Sequence, residues 1–200
     1  MNDHAMREAA IVNTALDLAE ERGVAGVTTA ALARRLQFTE AALYRYFPGK
    51  GAIIAAALRY LAERLFATML LELMPEAVPQ GDAVEPQVHR HIQRFGLRKG
   101  LLLELLMHAS GNREEVLQTA GGEFLHEYTE RMTTYFAQLQ ELRLTGTGTP
   151  ATELARLWVC QLLGGFVRSR LAREPWDPVE QPGFQAFVAQ LHSTDLLTAK

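Results

Sequence analysis

Apolar residues in this chain recur at helical spacing, and nowhere do they alternate. Ala9, Val12, Leu16 and Ala19 fall on one stripe three and four residues apart. Ile54, Leu58, Leu61, Leu65 and Met69 repeat the pattern over a segment running from Lys50 to Met74. A strand needs a period of two, and no stretch sustains it. The chain is therefore expected to be all-α, with about nine helices. Its punctuation is sparse. Breaks fall at Gly23 and Gly26, at Pro48-Gly49, at Pro75 to Gly81, in the Thr-Gly repeat of 144–150, and from Pro175 to Gly183.

Composition narrows the classes. A chain of 200 residues, 48% hydrophobic and 22% charged, builds a folded core. One cysteine, Cys160, forms neither an intramolecular disulfide nor a multi-thiolate metal site. It lies mid-helix in an apolar run without a helical-spacing His or Asp to activate it, and is read as a buried structural thiol. The longest apolar run, Leu157 to Val167, contains Gln161 and is short of the roughly 20 residues of a membrane span. The N-terminal MNDHAMREAA carries acids and lacks the apolar region of a secretory signal, so a cytoplasmic location is expected.

A net charge of −3 and a pI of about 6.1 argue against a generally basic protein. The distribution matters more. Residues 1–50 carry six basic and six acidic side chains, whereas 34–50 carry four basic residues against Glu40 alone. That basic strip coincides with the sequence TTAALARRLQFTEAALYRYF at 28–47. Thr28 is a candidate N-cap for a short helix over 30–36, whose Leu32, Ala33 and Leu36 face inward. Gln37 and Phe38 form a turn. Thr39 caps a second helix, with Glu40 at its positive end and Leu43 and Phe47 as anchors. Two short helices on a longer first one make a helix-turn-helix, whose second helix enters a DNA major groove. Tyr44, Tyr46 and Lys50 are placed as phosphate donors, Thr39, Glu40, Ala41 and Arg45 for base edges, and Thr28 completes the expected DNA-contacting set.

The run from Leu36 through Leu43-Tyr44-Arg45-Tyr46-Phe47 to Lys50 resembles the signature of TetR-type transcriptional regulators. The resemblance implies an all-helical homodimer, with a DNA-binding domain at 1–48 and a dimerisation and ligand- or partner-binding domain at 49–200. It carries the family's phosphate-contacting roles onto Tyr44, Tyr46 and Lys50. Two residues depart from the pattern: Gln37 stands where the turn glycine is usual, and Phe38 where a small or β-branched residue is. A positive φ would cost Gln more than Gly. Phe95-Gly96, Arg98, Gly100-Leu101, His108-Ala109 and Phe166 to Ser169 are similar to the nucleoid occlusion factor subgroup. That subgroup implies a DNA-bound antagonist of the division protein FtsZ.

The distal helices are expected near 85–95, 97–109, 113–119, 121–141, 151–173 and 183–194. The stripe Trp158, Leu162, Gly165 and Ser169 and the last helix's Phe184, Phe187, Val188 and Leu191 are expected at a dimer interface. Glu104, His108, Tyr128 and Met132 are candidate ligand-pocket residues, with Tyr135 and Trp158 as further cavity-lining candidates; at helical spacing Tyr128, Met132, Tyr135 and Trp158 are more often core. His89 and His91 point about 200° apart on a helix and share no metal. No phosphate loop, zinc motif or nucleophile elbow is present, so no cofactor, metal or catalytic residue is assigned. The leading expectation is a repressor reading a pseudo-palindromic operator as a dimer and released by a small-molecule effector.

Overall fold

The first helix, α1 (Asp3–Arg22), places Asp3 in its first turn and Arg22 in its last, each complementing the helix dipole. The structure is a computed structural model and describes residues 3–72 and 97–174, with 90, 91, 93, 94 and 186. The predicted stripe of α1 is buried at Val12, Leu16 and Ala19, joined by Ile11, Ala15 and Leu18. Gly23 stops the helix at φ 73, a conformation that suits glycine, and its N–H bonds back to the Ala19 carbonyl at 2.8 Å.

After a 3₁₀ turn at Val24–Gly26 come α2 (Thr29–Leu36), α3 (Glu40–Leu43) and α4 (Lys50–Glu72). A second 3₁₀ turn, Leu97–Gly100, leads into α5 (Leu101–Ser110), α6 (Glu115–Glu141) and α7 (Ala151–Ala172). The described residues contain these seven α-helices and no strand. The all-α expectation holds. The lower count has two causes. The expected helices near 85–95 and 183–194 fall almost wholly outside the described residues. The two expected at 113–119 and 121–141 are one continuous helix, α6. The Gly121-Gly122 pair does not divide them, since each glycine costs a helix only about 1 kcal/mol. Gly121 is buried, and a Cβ placed there would meet the Cβ of Ala109 on α5 at 3.4 Å, so the position is a close helix contact.

The chain divides into two compact units, Met1–Arg64 with Arg98–Phe124, and Leu65–Leu97 with Leu125–Lys200. In the first, α1 packs on α2 and α2 on α3, while α5 packs against α1 and the turn at Val24–Gly26. Ile11, Leu16, Val27, Leu32, Leu43, Ile53 and Ile54 form its core with the inward leucines of α5. Arg98 reaches Asp17 and Glu20 of α1 at 3.5 and 3.3 Å, and Arg59 of α4 pairs with Glu123 of α6 at 2.9 Å.

The second unit is built on aromatic packing. Tyr128, Tyr135, Phe136, Trp158 and Phe166 are all buried. The Trp158 ring meets Phe136 edge-on at 6.1 Å, and Arg131 lies over Phe66 at 4.7 Å. In its Thr-Gly loop, the Gln140 amide donates to the carbonyls of Gly146 and Thr149 at 3.0 and 2.8 Å.

The inward stripe of α7 is Leu154, Ala155, Trp158, Leu162, Phe166 and Ser169. Three of the four α7 residues expected at a dimer interface, Trp158, Leu162 and Ser169, thus face their own chain's core, with Gly165 half-buried beside them. Cys160, expected to be buried, is exposed instead. It stands two residues from Trp158, about 200° around the helix. The outer face of α7 carries Leu157, Cys160, Gly164 and Leu171. Phe184, Phe187, Val188 and Leu191 lie outside the described residues.

Candidate nucleic-acid interface

Two threonine caps and one turn shape the surface at 28–50. Thr28, in extended conformation before α2, accepts from the Ala31 N–H through Oγ1 at 3.1 Å. Thr39 does the same for α3, accepting from Ala42 at 3.1 Å. Each cap satisfies a backbone donor that the first turn of a helix leaves open. Between them Gln37 does adopt the left-handed conformation, φ 57 and ψ 37. The Phe38 N–H bonds to Ala33 O at 2.8 Å and the Gln37 N–H to Arg34 O at 3.4 Å, which closes α2 in a Schellman turn. Arg143 and Arg173 end α6 and α7 in the same conformation. Gln37 thus takes the left-handed conformation that glycine favours, at the cost of backbone strain.

Phe38 anchors this corner. Its ring receives Arg7 of α1 at 5.8 Å, so the first turns of α1 brace the turn between α2 and α3. His4 lies against Tyr46 with ring centroids 4.8 Å apart.

α3 commits one side chain to the core, Leu43. Thr28, Thr39, Glu40, Ala41, Tyr44 and Arg45 are exposed, while Tyr46 and Lys50 are half-buried. Tyr44, with 54% of its surface accessible, is the most open aromatic of the strip. Lys50 opens α4, and its Nζ donates to the Ala25 carbonyl at 3.4 Å, which ties that helix start to the 3₁₀ turn. The eight residues that the sequence marks for DNA contact are thus brought onto one continuous segment around a rigid corner.

Charge counting along the sequence overstates the basic strip. Arg35 is held by both carboxylate oxygens of Glu21, at 2.7 and 2.8 Å. That hydrogen bond and charge raise the guanidinium pKa further, and little positive potential is left over. Arg34 and Arg45 make no ion pair among the described residues, and with Lys50 they supply the positive potential. A second contact likewise escapes sequence reasoning: the Thr29 hydroxyl donates to Glu40 Oε2 at 2.6 Å. The only sequence signal is the Thr28-Thr29 doublet, of which one hydroxyl caps and the other bridges.

The candidate ligand residues fall in different units. Glu104 and His108 are half-buried on α5 in the first. Burial and the charge of Lys50 push the His108 pKa down, while Glu114 opposes them. Tyr128 and Met132 are buried on α6 in the second unit. The Tyr128 hydroxyl accepts from Trp158 Nε1 at 2.7 Å and lies 2.9 Å from His91 Nε2. His91 is wholly buried, which lowers its pKa to about 3 and keeps it neutral. Tyr135 and Ser169 are also buried, and their hydroxyls have no hydrogen-bond partner among the described residues. His89 lies outside the described residues.

Residues 11–57 match the family model described as bacterial regulatory proteins, tetR family. A nucleoid occlusion factor SlmA from Marinobacter nauticus is 28% identical over 183 residues, covering 87% of this chain and 90% of that protein. The crystal structure of reduced NemR from E. coli superposes with a TM-score of 0.74 at 17% identity, over 95% of this chain and 98% of that one. A TetR-family transcriptional regulator from Agrobacterium tumefaciens gives 0.76 at 11% identity, over 96% of this chain and 100% of that one. At such identities the structural matches establish the fold. No helix among the described residues is long and apolar enough to cross a membrane.

Proposed function

Because residues 11–57 match the tetR family of bacterial regulatory proteins, we propose that this chain is a sequence-specific DNA-binding repressor that reads a pseudo-palindromic operator as a homodimer. The observation that carries this reading is α3. The helix buries Leu43 alone, caps itself with Thr39, and turns Glu40, Ala41, Tyr44 and Arg45 outward on a basic corner. A helix placed this way presents its N-terminal residues to base edges. Tyr44, Tyr46 and Lys50 hold the phosphates, and Thr28 at the capped start of α2 adds a contact to the DNA backbone.

In this reading residues 1–48 read DNA and 49–200 carry dimerisation and control, in the cytoplasm at the nucleoid. The partner copy meets the outer face of α7, where Leu157 and Leu171 are exposed and Gly164 leaves open space. An effector binding one subunit spacing better than the other shifts the population away from the DNA-fitting state. The function is regulatory, without a catalytic step.

A second reading is favoured by the relationship to nucleoid occlusion factors across 87% of the chain. Here the distal helices bind FtsZ while the protein sits on DNA, and no small molecule is required. Genome-wide mapping of bound DNA separates the two. One or two sites beside regulated operons support the repressor. Many scattered sites, together with DNA-dependent retention of FtsZ, support the division role. No site-specific occupancy sinks both.

A further inference from the structure

Glu40 is an acid on a surface that must approach a polyanion. It is exposed, and it makes no ion pair among the described residues. Repulsion from phosphates makes such a carboxylate a liability unless it faces hydrogen-bond donors. It is not free to swing away, because the Thr29 hydroxyl holds Oε2 at 2.6 Å. Thr29 is itself half-buried at the start of α2, one residue after the cap. The side-chain entropy that a glutamate loses on binding is therefore partly lost already.

A carboxylate only accepts hydrogen bonds. The donors on base edges in the major groove are the amino groups of cytosine N4 and adenine N6. The adenine amino group lies between two acceptors, its own N7 and the paired thymine O4. The cytosine amino group has one acceptor neighbour, the paired guanine O6, and a C5–H on its other side. With Oε2 engaged by Thr29, Glu40 offers Oε1 as a single directed acceptor, which suits cytosine better.

We propose that Glu40 reads one cytosine in each half-site, and that Thr29 is the positioning residue that aims its carboxylate. The inference rests on the DNA-binding function proposed above.

The test is selection from a random-sequence DNA duplex pool with the full-length protein and the variants Glu40→Gln, Thr29→Val and Thr29→Ser. Competition titrations on the selected site then follow. The wild type is expected to enrich a two-fold motif with a cytosine in each half-site, preferred about tenfold over other bases. Glu40→Gln, an amide that pairs bidentately with adenine, should move that position toward adenine and leave the rest of the motif intact. Thr29→Val should flatten the same position to less than about threefold, and Thr29→Ser should restore it. If Glu40→Gln enriches the wild-type motif unchanged, Glu40 reads no base and the inference falls while the DNA-binding function stands. If Thr29→Val matches wild type, the positioning role falls. If the wild type enriches nothing, the DNA-binding function fails and takes the inference with it.

Discussion

Tyr128 and Tyr135 sit two helical turns apart on α6, both buried, yet removal of their hydroxyls should act with opposite sign. Tyr128 accepts from the Trp158 indole at 2.7 Å and lies 2.9 Å from His91. A buried hydrogen bond contributes about 1 kcal/mol net, and taking away one partner of a buried donor costs about 1–3 kcal/mol. Tyr128→Phe takes the acceptor from one ring and the partner from another, so a loss of about 2–4 kcal/mol is expected. For a chain of this length that lowers Tm by roughly 5–15 °C. The Tyr135 hydroxyl has no such partner among the described residues. Tyr135→Phe removes a desolvated polar group at nearly constant shape, so stability should be unchanged or rise by about 1 kcal/mol. Urea unfolding followed by far-UV circular dichroism measures both. Equal destabilisation by the two substitutions, or a Tyr128→Phe change below about 0.5 kcal/mol, would refute the assignment of the Tyr128 hydroxyl as the polar hub of this core.

Three other substitutions test separate parts of the account. Gln37→Gly should stabilise by up to about 1 kcal/mol, since glycine meets no Cβ penalty at φ 57; thermal melting reads the shift. Thr39→Ala removes the cap of a helix only four residues long and should cost about 1 kcal/mol of stability and weaken DNA binding; anisotropy titration against a selected duplex reads the second effect. His91 is held neutral in the fold with a pKa of about 3, against 6.5 when unfolded. Between those values the unfolded chain binds a proton that the folded chain does not. Its contribution is thus fully present above pH 6.5 and declines by about 1.4 kcal/mol per unit as pH falls through the window. Urea midpoints between pH 7.5 and 5 should show that slope in the wild type, reduced by the same amount in His91→Gln.

What the sequence made legible was local. The stripes of α1 and α4, the caps Thr28 and Thr39 and the strain at Gln37 all depend on residues within one or two turns. Contacts between residues 11 and 14 apart, Thr29 with Glu40 and Glu21 with Arg35, lay beyond such reasoning, and the second of them removed an arginine from the basic strip. Periodicity also says which residues share a helix face without saying what covers it. The α7 stripe of Trp158, Leu162 and Ser169 is apolar enough for a partner's surface, but all three are buried within their own chain, with Trp158 against Tyr128 and Phe136. Helix propensity misleads at Gly121-Gly122 because a close approach to Ala109 outweighs a weak local preference.

In the proposed function the corner around α3 holds DNA through Tyr44, Arg45 and Lys50. This is tested most directly by the affinity of the full-length protein for its strongest mapped site as salt is raised. Wild type is compared with the triple variant Tyr44→Ala, Arg45→Ala, Lys50→Ala, with circular dichroism verifying the fold. A loss of at least about a hundredfold, with the salt slope reduced by about one for each corner placed on DNA, is the predicted result. Equal affinity and an equal slope in a folded variant would contradict it.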